Sequence, residues 1–271
     1  MKKVTALLLI ICATILITTS SCDDNGDFLI FSIQNDITLG EQVATEIAND
    51  PTTFPILDRN QYSVSYAYLE SMMNAILASD EITYRDEFNW TINIIDDDQT
   101  LNAFATPGGQ IYVYTGLIYF LDKEDDLAGV IGHEIAHSDQ RHSSKQLQRQ
   151  YGISILLSIL TGGEGESLKQ IVGNIAGTGA ILAFSRSAEA ESDAFSVEYL
   201  ADTEYACNGA AAFFQKLLDN EAQRSPEFLS THPSPDNRVA DINEKSDDIG
   251  CDTSISGESV SRYQAFRNSL P

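Results

Sequence analysis

Apolar side chains recur at helical spacing over residues 41–48 and again over 61–78, "QYSVSYAYLESMMNAILA", and the "NDPTTFP" between them holds two prolines that enforce a turn. Two helices therefore open the fold, after a stretch at 23–38 whose acidic and small leading residues read as a tether. "FNWTINIID" and "GQIYVYTGLI" are rich in β-branched and aromatic residues, and "LNAFATPGG" between them reads as an edge strand ending at Pro107. These three segments predict a small antiparallel sheet. From Asp122 the spacing turns helical again. Asp122, Glu124, Asp125 and Asp126 suit a helix N-terminus, where unpaired N–H groups and the positive dipole end meet carboxylates, and Leu127, Val130, Ile131 and Ile135 continue the apolar stripe. "GISILLSILTGG" and "IVGNIAGTGAILAF" are apolar but fall well short of the ~20 residues a membrane span requires, so they read as buried helices. Residues 187–203, 208–222, 235–245 and 257–267 complete a mainly helical α+β chain, with residues 39–271 as one domain.

Composition narrows what such a domain does. At 43% hydrophobic, 271 residues suffice for a sizeable core. The net charge of -24 repels a phosphate backbone over most of the surface and excludes nucleic acid as a partner. The first 22 residues show Lys2 and Lys3, an apolar run from Val4 to Ile17 and small hydroxyl residues up to Cys22, the layout of a secretory signal. The small residues before Cys22 resemble the lipobox of bacterial lipoproteins, with Thr19 in place of the usual aliphatic residue. Cys22 is then a lipid anchor on an exported protein; the alternatives are an ordinary signal cut near Ser21 or a retained anchor. Of the remaining cysteines, Cys207 and Cys251 suit a disulfide in an exported domain better than a thiolate metal site, which lacks a second pair.

The chemistry concentrates in "VIGHEIAHSDQRH". His133 and His137 stand one helical turn apart on one face, so both imidazoles reach one ion, while Glu134 between them is placed to take a proton from an attacking water. A zinc held by two histidines needs a third protein ligand. A third histidine six residues after His137 is ruled out, because Ser143 stands there and Gln140 replaces the intervening glycine. His142 lies roughly 140° further round a continuous helix, and it and Arg141 read as structural. "SRSAEAESDAFSVEYL" supplies the alternative: Glu189 and Asp193 share a helix face, one to bind zinc and one to hydrogen-bond a ligand imidazole, while Glu191 points to the opposite side. That order of motifs is the gluzincin pattern.

"HEIAHSDQRH", "SRSAEAESDAFS" and "LSTHPSPDNR", in this order, resemble the HtpX-like family of zinc metallopeptidases, which includes the CAAX prenyl endoproteases, and are most similar to its periplasmic and lipoprotein branch. The likeness spans residues 40–245; Ser192 stands where the family usually has alanine. It implies a zincin-type fold with the active-site helix beside a short sheet, one Zn²⁺ per chain, and endopeptidase action on unfolded or misassembled envelope proteins. The outer-membrane assembly machinery is a possible partner on this reading. The alternative is a zinc-containing chaperone or assembly factor with little proteolysis, against which Glu134 argues. The resemblance also places His232 and Arg238 near the substrate, steadying the charged tetrahedral intermediate. A further hypothesis is that His232 fills the open zinc position at rest. "LNAFATPGG" matches the family's edge strand, where an extended peptide would add to Asn102, Ala103, Phe104 and Ala105; the alternative is an ordinary strand with a packed Phe104.

Overall fold

The structure, a computed structural model, describes residues 29–163, 165–178, 183–220, 231–232 and 237–271. The expected signal at 1–22 with its lipid anchor Cys22, and the first part of the tether, lie outside them.

The tether is shorter than the sequence led us to expect. Helix α1 (Ile33–Ala48) begins inside it, because Ser32 and Asn35 form a capping box: Ser32 Oγ accepts from the Asn35 N–H at 3.2 Å and Asn35 Oδ1 from the Ser32 N–H at 3.0 Å. Phe31, Leu39, Val43 and Ile47 are then buried against Phe54, Phe104 and Tyr112. Helix α2 (Ser63–Leu77) follows, then strands β1 (Thr91–Ile95), β2 (Ala103–Thr106) and β3 (Gln110–Tyr114).

The sheet is mixed, with order β1-β3-β2, rather than wholly antiparallel. Strand β2 runs back along the far side of the gap that β3 fills, so β3 lies antiparallel to β2 (Phe104 opposite Tyr112) and parallel to β1 (Asn93 opposite Tyr112). Pro107, Gly108 and Gly109 make the β2–β3 turn, with both glycines at positive φ where a side chain would be strained. Alternation along the strands separates two apolar clusters. Ile92, Ile94, Ala103, Ala105, Ile111 and Val113 face one way; Ile95, Phe104, Tyr112 and Tyr114 face the other, toward α1.

Helix α3 (Thr115–Phe120) leads into α4 (Glu124–Asp139), every residue of which is buried. The acidic start of α4 does more than meet the dipole. Asp125 accepts from the Ala206 N–H at 2.8 Å and from the Ser259 hydroxyl, and Glu124 from the Tyr68 hydroxyl at 3.0 Å and from Arg262. These bonds clamp the helix start to segments far away in sequence. After α4 come α5 (His142–Tyr151), α6 (Ile153–Leu160), α7 (Gly165–Thr178), α8 (Arg186–Leu200), α9 (Gly209–Asp219), α10 (Arg238–Ile249) and α11 (Ser259–Arg267). α4 meets α9 backbone to backbone: a Cβ on Gly129 would stand 2.0 Å from the Ala210 nitrogen, so only glycine fits the crossing. Cys207 and Cys251 are joined in a disulfide that ties the approach to α9 to the end of α10. Among the described residues, no helix is long and apolar enough to cross a membrane.

Candidate metal centre

α4 carries His133, Glu134 and His137; α8 packs against it and carries Glu189, Glu191 and Asp193. Ser185 caps α8, its hydroxyl accepting from the Ala188 N–H at 3.1 Å, and so fixes the helix start one turn before the carboxylates. The two helices are in direct contact here: α8's Ser196 Cβ lies 3.5 Å from where a Cβ on Gly132 would stand, an ordinary van der Waals distance.

His133, His137, Glu189 and His232 each offer a ligand atom, and these atoms all lie within 4.8 Å of one another. His133 Nε2 and His137 Nε2 are 3.0 Å apart, Glu189 Oε1 is 3.4 Å from His137 Nε2, and Glu189 Oε2 is 3.5 Å from His133 Nε2. His232 Nδ1 stands 3.1 Å from Glu189 Oε1 and 3.4 Å from His133 Nε2. Four donors around a tetrahedral ion at zinc–nitrogen distances would be about 3.3 Å apart along each edge, so the set fits zinc in size, number and chemistry. His133, His137, Glu189 and His232 are all buried.

Three buried carboxylates, Glu134, Glu189 and Asp193, share this space with the guanidinium of Arg238 and the imidazole of His133. Burial works against charging His133, yet the Asp193 and Glu189 carboxylates outweigh it and push that imidazole up to about 9. His137 is instead held well below its ordinary value by burial and by neighbouring His133, which keeps it in the neutral form that donates a lone pair. Burial would raise Glu189, but His232, His133 and His137 together hold its carboxyl well below the usual range.

Each ligand imidazole is held from behind. His133 Nδ1 is 2.9 Å from Asp193 Oδ1, and Arg238 grips Asp193 in turn. His137 Nδ1 is 3.0 Å from His142 Nδ1, and the ring of Phe184 stacks on His137 at 3.8 Å. Glu134 is different: among the described residues neither of its oxygens meets a hydrogen-bond donor in good geometry, and His232 Nε2 stands 3.4 Å from its Oε1. Burial pushes the Glu134 pKa up, and His232 and His133 only partly pull it back.

Arg238 is engaged from several sides: its Nε and NH2 donate to Asp193, its NH1 lies 2.9 Å from Glu189 Oε2, and its guanidinium rests 3.7 Å over the Phe214 ring. Two expectations change. His142 does not point away from the cluster, because α4 stops at Asp139 and Arg141, at φ 60°, turns the chain back. Glu191 consequently meets His142, at 3.1 Å, where a straight helix would have left it in solvent. Arg141 is structural, its Nε 2.6 Å from Asp36 Oδ2.

Strand β2 lies beside this centre, and alternation turns the main-chain groups of Ala103 and Ala105 away from β3. The Ala105 carbonyl accepts from Ser143 Oγ at 2.8 Å. Phe104 stacks on Tyr112 at 4.7 Å inside the core. Asn102 precedes the strand and its Oδ1 accepts from Thr231 Oγ1 at 3.4 Å, next to His232. Phe184, which no sequence motif marked, donates its N–H to the Thr231 carbonyl at 3.2 Å and closes the same side.

Known proteins share this sequence pattern. The chain is 29% identical over 195 residues to the beta-barrel assembly-enhancing protease of Yersinia pestis, covering 67% of this chain and 39% of that one. It is 31% identical over 169 residues to the protein of that name in Escherichia coli, covering 58% and 34%. With the mitochondrial metalloendopeptidase OMA1 of Schizosaccharomyces pombe it shares 28% over 185 residues, covering 68% and 53%. The aligned stretch thus spans about a third to a half of each of these relatives. Residues 64–246 match peptidase family M48, a stretch that runs from α2 to α10 and holds the whole cluster, and the chain belongs to that family.

Proposed function

We propose that this chain is a zinc-dependent endopeptidase that cleaves unfolded or misassembled proteins of the bacterial envelope. The observation that carries the reading is the convergence of His133, His137 and Glu189 beside Glu134, a buried carboxylate with no hydrogen-bond donor in good geometry among the described residues. Zn²⁺, when bound by His133, His137 and Glu189, supplies Lewis acidity to the scissile carbonyl and makes water a nucleophile at neutral pH.

Glu134 takes the proton of the attacking water and delivers it to the departing amine. Neither Glu134 oxygen meets a hydrogen-bond donor in good geometry among the described residues, so a proton can be taken up and passed on there. Asp193 holds the His133 ring so that Nε2 faces the metal, and Arg238 holds Asp193. His232, whose Nδ1 lies 3.1 Å from Glu189 Oε1 and whose Nε2 is turned toward Glu134, would add a fourth donor to the metal in the resting enzyme and would then have to withdraw for substrate to enter. An extended peptide added to β2 at Ala103 would be held by main-chain bonds that tolerate many sequences, which suits unfolded substrates, while the Ala105 carbonyl is already engaged by Ser143 Oγ.

Placement in the envelope rests on the signal-like residues 1–22 and on the bacterial relatives' name, which speaks of assembling β-barrels. A lipid on Cys22 would tether the enzyme to a membrane, and the outer-membrane assembly machinery is the partner this placement implies.

The test is metal analysis of the purified protein together with digestion of denatured casein. Stoichiometric zinc and hydrolysis are expected in the wild type, and Glu134→Gln should retain zinc while losing hydrolysis by about 10²–10⁴-fold. Hydrolysis by Glu134→Gln at the wild-type rate would overturn the assignment.

A further inference from the structure

His137 has two ring nitrogens with different tasks. Nε2 faces the converging ligand atoms, 3.4 Å from Glu189 Oε1. Nδ1 faces His142 Nδ1 at 3.0 Å, and His142 Nε2 faces Glu191 Oε2 at 3.1 Å. A neutral imidazole carries one proton, on one nitrogen or the other. For His137 to offer a lone pair at Nε2, its proton must sit on Nδ1, and His142 Nδ1 must then accept it. That leaves the proton of His142 on Nε2, where it donates to the Glu191 carboxylate. The chain of three groups therefore has only one consistent direction of donation, fixed at its outer end by a charge. Ser192 Oγ, 3.2 Å from His142 Nδ1, flanks the accepting nitrogen.

Two features of the backbone make the arrangement. α4 ends at Asp139, and Arg141 takes a left-handed conformation that L side chains seldom adopt, which starts α5 with His142 directly beside His137. Arg141 is pinned there, its Nε 2.6 Å from Asp36 Oδ2 and its NH2 2.5 Å from the Phe31 carbonyl. His133 is oriented by an α8 carboxylate directly, through Asp193. His137 is oriented by another α8 carboxylate through an interposed ring.

We infer that His142 and Glu191 are positioning residues that set the tautomer and ring orientation of His137 and thereby the strength with which the site holds its metal. This rests on the zinc endopeptidase reading and assigns two further residues to it.

The experiment measures zinc affinity of the purified full chain by competition with a chromophoric chelator, alongside the visible absorption of the Co²⁺-substituted protein. His142→Ala should bind zinc about 10–100-fold more weakly, the range found for removal of a group that orients a ligand histidine. His142→Gln, whose amide oxygen accepts from His137 Nδ1, should recover most of that loss. Glu191→Ala should weaken binding in the same sense, and both alanine variants should alter the Co²⁺ spectrum. If His142→Ala proves unstable, Glu191→Ala carries the test, because Glu191 is partly exposed and its removal leaves the core packing intact. Unchanged zinc affinity in Glu191→Ala and in any folded His142→Ala would overturn the inference and leave the proposed function standing. A His142→Gln variant as weak as His142→Ala would overturn the tautomer argument. A wild type that binds no zinc would instead remove the proposed function itself.

Discussion

Arg238 grips Asp193 with two nitrogens, Nε to Oδ2 at 2.6 Å and NH2 to Oδ1 at 2.5 Å, while Oδ1 also meets His133 Nδ1 at 2.9 Å. One buried carboxylate thus couples the cation on α10 to the metal-facing ring on α4. Without Arg238, Asp193 and Glu189 would lose their guanidinium partner and keep the His133 imidazole as their shared contact.

Arg238→Ala is therefore expected to destabilise the protein by about 3–5 kcal/mol, the usual effect of removing one partner of a buried pair. The loss should be larger in EDTA than in zinc, because a bound dication offsets part of the exposed negative charge. Arg238→Lys keeps the charge but loses the fork, and should lower kcat/KM by at least about tenfold. Urea unfolding with and without zinc, beside casein digestion, checks both; equal losses in zinc and in EDTA would separate the clamp from the metal site.

His232 is held over the centre by more than its own contacts. The Phe184 N–H donates to the Thr231 carbonyl, and Thr231 Oγ1 reaches Asn102 Oδ1, so the segment before His232 is tied both to the chain leading into α8 and to the approach to β2. Release of a closed form favoured by about 1.4 kcal/mol would raise the basal rate about tenfold. His232→Ala should accordingly cleave a short unfolded reporter peptide faster than wild type at saturating zinc. Slower cleavage at every substrate concentration would mean that His232 serves only the reaction and closes nothing.

How far the sequence could be read depends on what kind of fact each feature is. The pair His133 and His137, and the pair Glu189 and Asp193, are i,i+4 relations within single helices, and helical geometry alone places each pair on one face. The convergence of α4 with α8 followed because a metal needs both. The order of the sheet was not legible, since alternation in "FNWTINIID" and "GQIYVYTGLI" marks strands without saying which neighbour each will take. The first turns of α1 were missed because "IQNDITLG" has few apolar positions; the Ser32–Asn35 cap was the available signal. His142 was misplaced by extending a straight helix through Arg141, where neither glycine nor proline announces the break. Phe184 makes its contacts across the fold, and no spacing in the chain encodes them.

Asp36 offers a stability test remote from the metal ligands. It is buried, and burial pushes its carboxyl above the usual range, while Arg141 only partly pulls it back. The folded state therefore holds this proton more tightly than the unfolded chain does. The stabilising contribution of the protonated group is fully present below the ordinary carboxylate range and is lost as pH rises through the raised value. The stability difference between wild type and Asp36→Asn, measured by urea unfolding from pH 4 to 7, should shift against the wild type as pH rises. A difference independent of pH would show that Asp36 titrates alike in both states.

The Cys207–Cys251 disulfide closes a loop of 44 residues, a length for which loop-closure entropy corresponds to roughly 4 kcal/mol. The loop contains α9 and α10 and with them Phe214 and Arg238, the ring and the cation that lie against each other beside Asp193. Replacing both cysteines by serine should thus lower stability by about 2–5 kcal/mol. It should also loosen the Arg238 clamp, so that zinc affinity falls together with stability. The contrast with Arg238→Lys is informative, because that substitution weakens the clamp without opening the loop. Unfolding midpoints and chelator competition on the double-serine protein would read the two effects separately, and zinc affinity unchanged in a destabilised variant would show that α10 is held in place by its own packing against α8 and α9.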